Sequence, residues 1–412
     1  MPKDLIIVGG GITGIASALY AAEKRKFNVH LIEKSSYLGG VLRDFSDDKG
    51  KNYFKDAQYI SANSPLLNLV DYGQLISFED SYGSYTCFQE KDIAIKDFPG
   101  PVFDKSHKPQ IYNNTEKEIK TCADYLKLFP KKINDSLLKY TNKFCDPYKT
   151  HFSCLKGLHL ERITIEKSFN KIKELKEKNI YGDKLYGLPR NYRGINFGKY
   201  FLPKSKYNNF FYYIQNLFKE KEIKLSLNST VKVLNSSDLK RKISIDINNK
   251  ILDLQEAILI WTSDPNPLLN LFNIKSKSKP IRMKNMYYER KDSVKSPFYI
   301  NIFSSDLPIT RIYLYENLVT VEALHNNSDE KFLINNIKKI MFKFLPEQCF
   351  SPKNDTTYRF NENRYILFTQ EEEEKMRQIY KSFPESNIVF TPWLSYSRDE
   401  KIESIFDSID SL

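Results

Sequence analysis

The chain of 412 residues opens with a run of apolar positions at 5–8 (LIIV), stopped by Gly9-Gly10-Gly11. A short apolar run without polar alternation predicts a strand covered on both faces. From Ile12 to Lys24, small and apolar residues recur at helical spacing, at Ile15, Ala18, Leu19 and Ala22. The segment 28–34 (NVHLIEK) returns to a strand pattern. Strand, glycine turn, helix and second strand predict a parallel unit with a right-handed crossover.

Further along, the pattern changes twice. Residues 88–200 are rich in Lys, Tyr and Phe, with helix-like segments and no period-two runs, and predict a largely helical insertion. Residues 208–220 (NNFFYYIQNLFKE) read as an amphipathic helix, followed by strands and a hairpin that end in a buried strand at Ala257–Trp261. Residues 281–325 alternate as strands do, in MYYERK, FYINIF, TRIYLYEN and LVTVEAL. The remainder predicts helix, a short strand at 387–390 and a final helix from about Ser397. Within it the acidic run Glu371–Glu374 suits the first turn of a helix. Two interleaved domains are expected. One is built from 1–88, 205–280 and 371–412, the other from a helical region at 89–204 and a sheet at 281–370.

Composition narrows the class. Hydrophobic residues at 41% and aromatics at 14% fit a globular protein. No apolar run approaches the roughly 18–20 residues that span a bilayer. The start carries no basic region ahead of a long apolar stretch, so no signal peptide is expected. The five cysteines form no CxxC pair and the five histidines no ligand pattern, which points to reduced thiols, a cytoplasmic location and no metal site. The net charge of +12 comes from lysines interleaved with glutamates, as in KIKELKEK, which reads as solvated helix faces and not as a nucleic-acid surface. An anionic small molecule is the expected partner.

Six of the 15 glycines fall between Gly9 and Gly40. Gly9-x-Gly11-x-x-Gly14 sits between strand and helix, as a dinucleotide fingerprint requires: a tight turn, room for a pyrophosphate, and close packing of helix on strand. Glu33, at the end of the second strand, is placed to accept ribose hydroxyls. No second GxGxxG occurs.

The continuation EKSSYLGGVLRDF, with Gly39-Gly40 after the acid, resembles the extended fingerprint of the FAD-dependent flavoproteins that include amine oxidases, protoporphyrinogen oxidase, phytoene desaturases and UDP-galactopyranose mutase. YFKDAQYIS (53–61) resembles the family's FDxGxH segment, with Lys55, Ala57 and Tyr59 in place of Asp, Gly and His. NSTVKVL (228–234) resembles the strand whose valine, here Val231, meets the adenine, and AILIWTSDP (257–265) resembles the strand end that closes the cofactor domain. The resemblance implies an α/β fold: a Rossmann-like FAD-binding domain of glutathione-reductase type 2 with an interleaved α+β substrate domain. It implies FAD contacts from Gly9, Gly11, Ile12, Thr13, Gly14, Glu33, Lys34, Gly39, Gly40, Val41, Val231, Thr262, Trp393 and Leu394.

NIVFTPWLSYSRDEKIESIF (387–406) is similar to the mutase C-terminal pattern, keeping Asn387, Phe390, Leu394, Asp399 and Ile402. Thr391-Pro392-Trp393 replaces its Gly-Gly-Arg. LPITRIYLYEN (307–317) resembles the mutase strand whose arginine, here Arg311, faces sugar-nucleotide phosphates. Arg190, Tyr192 and Arg193 in LPRNYRGINFGKYFLP (188–203) are further candidates for a sugar or nucleotide. The resemblance implies an FAD-dependent oxidoreductase transferring hydride at flavin N5 on a small polar, sugar-type or anionic substrate, with NAD(P)H as an external reductant. The alternatives are a mutase-like sugar-nucleotide isomerase, in which reduced flavin attacks a sugar carbon, and a degenerate flavoprotein without catalysis.

Overall fold

The computed structural model describes residues 2–46, 50, 52–54, 59–79, 81–88, 91–96, 100–101, 119–160, 163, 174, 199–234, 244–253, 257–271, 274–276, 278, 280–325, 329–345, 358–382, 388–391 and 397–412. The chain divides into two units, each assembled from separate segments. The first comprises Met1–Ser77, Tyr200–Lys277 and Glu372–Leu412, the second Phe78–Lys199 and Ser278–Glu371.

A five-stranded parallel sheet organises the first unit. Its centre is β1 (Lys3–Val8), flanked by β2 (Phe27–Ile32) and by Ala257–Trp261, with Lys224–Ser226 and Ile388–Phe390 at the edges. Leu5 to Val8 and all five residues Ala257–Trp261 are buried, as expected of strands covered on both faces. Helix α1 (Ile12–Glu23) connects β1 to β2 and buries Ala16, Ala18, Leu19 and Ala21. Its outer side holds the C-terminal helix Arg398–Ser411: the Tyr20 and Phe406 rings stack at 3.8 Å. Tyr20 Oη donates to Asp410 at 2.7 Å, and Lys24 pairs with the same carboxylate at 2.6 Å. A three-stranded antiparallel sheet, Val231–Leu234, Ser244–Ile247 and Lys250–Asp253, contains the expected hairpin. Its turn residues Asn248 and Asn249 both have positive φ (52° and 69°), the signature of a two-residue type I′ turn.

The second unit is built on the strand Pro280–Ser304, which pairs antiparallel with Ile309–Leu324 and Tyr358–Ile366 and parallel with Ser81–Phe88. Ile300, Ile312, Leu314, Val319 and Val321 from the sheet share a core with Leu333, Ile337, Ile340 and Met341 of the helix Glu330–Phe342. Lys143, at the end of the helix Lys131–Asn142, donates to the carbonyls of Ser304 and Leu307, each at 2.6 Å. Burial pushes its amine down to about 8, while Asp306 opposes the shift.

Three local expectations are corrected here. MYYERK and FYINIF belong to one 25-residue strand, with irregularities between Glu289 and Phe298 absorbing the polar KDSVKS between them. The region read as helical from residue 89 contains the strand Lys91–Lys96, paired with Ser81–Phe88. The region read as helical beyond 326 contains Tyr358–Ile366, whose polar sequence pairs onto the long strand.

His30 on β2 lies 2.9 Å from Ser226 Oγ, and burial, with Lys224 adding repulsion, pushes its imidazole down to about 4. A depressed histidine favours the fold only where the unfolded chain is also neutral. Its contribution is therefore complete above pH 6.5 and lost as the pH falls from 6.5 towards 4. With its partial exposure discounted, the effect is about 1–2 kcal/mol. Urea midpoints at pH 7 and pH 5 should converge in His30→Gln relative to the wild type.

Candidate functional site

The glycine-rich turn stands at the carboxyl end of β1, where α/β sheets bind ligands. Its geometry separates glycines that pack from the glycine that leaves space. Gly9 turns the chain at φ +112°, and a Cβ there would fall 2.7 Å from Thr262 Oγ1. A Cβ on Gly14 would penetrate the Gly9 carbonyl oxygen, so α1 can approach β1 only at a residue without a side chain. Gly10, the unspecified position of the fingerprint, is equally constrained: its Cβ would lie 2.9 Å from Glu33 Cβ and Cγ. At Gly11 a Cβ would meet no atom within 4 Å. Gly11 is also the N-cap of α1, with no side-chain cap and no acidic residue in the first turn. The amides of Ile12 and Thr13 have no acceptor inside the helix and carry the positive end of its dipole, a ready anion site. The Ile12 side chain is buried, so this residue can serve a ligand only through its backbone.

Glu33 follows β2 directly and is 9% exposed. Gly10 N donates to its Oε2 at 2.6 Å, and Ser35 N to its Oε1 at 2.8 Å. Ser35 Oγ lies 2.7 Å from Oε1. Oε1 accepts two hydrogen bonds from Ser35, whereas Oε2 accepts only that of Gly10 and keeps a further lone pair for a ribose hydroxyl. The strand that begins at Val231 approaches the same place, since Ser229 N donates to the Glu33 carbonyl at 3.0 Å and Asn228 N to that of Ser35 at 2.9 Å. Lys34 and Val41 are exposed beside the turn. Neither Gly10 nor Ser35 was expected at the site. Ser35 carries no sequence signal, whereas the uninterrupted triplet Gly9-Gly10-Gly11 was a signal for Gly10.

Two sequence expectations change. The Gly39-Gly40 pair is expected to let the chain pass a diphosphate, but Gly39, at φ +108°, is glycine because Phe211 of the helix Lys206–Glu220 occupies the space of any side chain. Only Gly40, at φ +59° and with its Cβ position 3.2 Å from Gly11 Cα, borders the open space. Gly39 N donates to Gly10 O at 2.8 Å, which locks this second turn onto the first. Thr262 is the other change. Its hydroxyl lies 3.0 Å from Val8 O and 3.1 Å from Gly9 O, so its proton is used in bracing the turn.

Arg311 lies in the second unit, on the strand Ile309–Leu324, 3.5 Å from Glu322 and largely buried. It borders a cavity of about 10 Å³, room for one water, with Tyr140, His159, Asn301 and Thr310. Arg190, Tyr192, Arg193, Trp393 and Leu394 lie outside the described residues, as do Lys55 and Ala57. Among the described residues there is no cluster of His, Cys, Asp or Glu able to hold a metal ion, and no helix long and apolar enough to cross a membrane.

This arrangement is that of a Rossmann-like domain in the first unit. Residues 7–72 match the family model for the NAD(P)-binding Rossmann-like domain. The whole chain shares its fold with several solved enzyme structures. A structure of reduced UDP-galactopyranose mutase is similar over 100% of this chain and 93% of its own, with a TM-score of 0.66 at 12% identity. A protein described as a protoporphyrinogen oxidase from Exiguobacterium sp. 255-15 matches over 100% and 98%, with a TM-score of 0.63 at 13% identity. An engineered putrescine oxidase matches over 100% and 99%, with a TM-score of 0.61 at 11% identity. No curated protein sequence matches the chain.

The different roles of the glycines give a direct test. Gly14→Ala should lower the urea midpoint by the equivalent of about 3 kcal/mol or more, because backbone must move. Gly11→Val should leave the midpoint within about 0.5 kcal/mol of wild type, as expected of a surface substitution, while abolishing retention of a bound dinucleotide. Unchanged dinucleotide retention in Gly11→Val would place the ligand elsewhere.

Proposed function

We propose that the chain is an FAD-dependent oxidoreductase acting on a small polar substrate of sugar-like or anionic character. The observation that carries this reading is the open space in front of Gly11, bordered by Gly40 and the first turn of α1, in a fold it shares with flavin oxidases and a flavin mutase. The residues fit the adenosine diphosphate half of FAD. The amides of Gly11, Ile12 and Thr13 would hold the diphosphate, Glu33 would orient the ribose hydroxyls, and the backbone at Val231 would meet the adenine. When bound, the flavin would supply hydride transfer at N5. The protein's contribution is to fix the cofactor against rigid backbone, so that no side chain has to be ordered on binding. The single glycine fingerprint gives no support to a separate nicotinamide site, and none is proposed.

Arg311 is the candidate for an anionic substrate group in the second unit. Its planar fork suits a carboxylate or phosphate, and Glu322 on the same strand fixes its orientation while offsetting part of its charge. This arginine, together with the similarity to UDP-galactopyranose mutase, favours redox-neutral isomerisation of a nucleotide sugar as the second reading. Purified protein should show flavin absorbance near 450 nm or acquire it on addition of FAD. An oxidoreductase would then consume an electron acceptor stoichiometrically with substrate. A mutase would interconvert nucleotide sugars only after dithionite reduction and with no net consumption of reductant. A colourless protein that binds no added FAD would overturn both readings.

A further inference from the structure

Arg43 stands four residues beyond Gly39, on the segment that the Gly39 N to Gly10 O bond ties to the fingerprint turn. Its guanidinium lies over the face of the Tyr37 ring, and its Nη2 is buried with no hydrogen-bond partner among the described residues. Burial lowers its pKa, and the charge that acts against this is Glu33. Glu33 does not bond its Nη2; the Glu33 oxygens accept from Gly10 N and from Ser35. The neighbouring Asp44 forms no ion pair with Arg43, and its Oδ1 is buried without a hydrogen-bond partner among the described residues. Its Oδ2 accepts Asn208 N at 2.8 Å, capping the helix Lys206–Glu220, whose own N-cap Ser205 gives no side-chain bond. A buried guanidinium nitrogen without a partner is costly, and in folded proteins such groups are completed by an anion or by ordered water.

We propose that this anion is the diphosphate of the dinucleotide and that Arg43 is its charged contact, complementing the uncharged amides of Gly11, Ile12 and Thr13. The inference rests on the flavin reading above. Three features favour a diphosphate over a phosphate on the ribose. The segment carrying Arg43 is locked to the Gly10–Gly11 backbone, where the diphosphate is expected. The ribose position is held by Glu33, which would repel a phosphate there. The Tyr37 ring supports the guanidinium plane, and Arg is the residue suited to a forked contact with phosphate oxygens.

The test measures the affinity of apoprotein for FAD, ADP, adenosine 2′-phosphate and adenosine by titration calorimetry, alongside the apoprotein's thermal midpoint. Arg43→Gln should weaken FAD and ADP roughly ten- to a hundredfold, the loss expected for a charged hydrogen bond, and change adenosine less than twofold. Its apoprotein midpoint should be unchanged or higher, since an unsatisfied buried charge has been removed. Arg43→Lys, which keeps the charge without the fork, should fall between Arg43→Gln and wild type, and it carries the test if the glutamine variant does not fold. Equal FAD affinity in wild type and variants would overturn the role of Arg43 while leaving the flavin reading intact. A lowered apoprotein midpoint with adenosine and ADP weakened in parallel would make Arg43 a structural residue and overturn it as well. Tighter binding of adenosine 2′-phosphate than of ADP by wild type would move the anion to the ribose. Wild type that binds neither FAD nor ADP would bring down both the flavin reading and this one.

Discussion

The close approach of α1 to the end of β1 is the constraint on which the first unit depends. At Gly14 the helix lies so near the Gly9 carbonyl that a methyl group cannot enter, and Thr262 from the adjacent strand closes the same junction from behind. This junction directs the N-terminus of α1 at one point above the sheet. Every other feature of the site follows from that direction. The first-turn amides converge there, Gly11 leaves the point open, and the turn at Gly39 and Gly40 is held against it by a backbone bond. An anion site made of backbone is already ordered before ligand arrives, so little conformational entropy is lost on binding.

Much of this was legible in the sequence. The apolar run at 5–8, the helical spacing after Ile12 and the acid at 33 fixed the parallel unit, because local periodicity and turn chemistry agree there with the tertiary fold. The resemblance pointed to the second glycine pair, whose two members differ in the structure: Gly40 borders the open space at Gly11 and Gly39 packs on Phe211. Gly39 is glycine because of Phe211, a contact across more than 170 residues of chain that no local pattern encodes. Thr262, expected as a ligand contact, has its hydroxyl beside the Val8 and Gly9 carbonyls, a contact that no local pattern encodes either. The strands Lys91–Lys96 and Tyr358–Ile366 were missed because polar edge sequences acquire strand structure from their partners and not from their own alternation.

The second unit relies on a different device. Its long strand meets three partners, and the turn that follows is held by Lys143, an ammonium buried among aromatic rings and bonded to two backbone carbonyls. Arg311 is handled in a similar way, with Glu322 beside it. In both cases a cation is buried only where acceptors are already in place. Arg43 in the first unit is the exception, its Nη2 being buried with no hydrogen-bond partner among the described residues.

The first unit joins the beginning of the chain to its end. Tyr20 meets Asp410 across 390 positions, and the edge strand Ile388–Phe390 completes the parallel sheet. During biosynthesis the glycine turn is made more than 370 residues before the edge strand Ile388–Phe390 and the outer helix Arg398–Ser411 that cover its support. The apolar strands β1 and β2 therefore wait for partners made much later, and apolar segments left uncovered in this way aggregate or recruit chaperones. Closing so long a loop also makes this unit slow to form from its local parts alone.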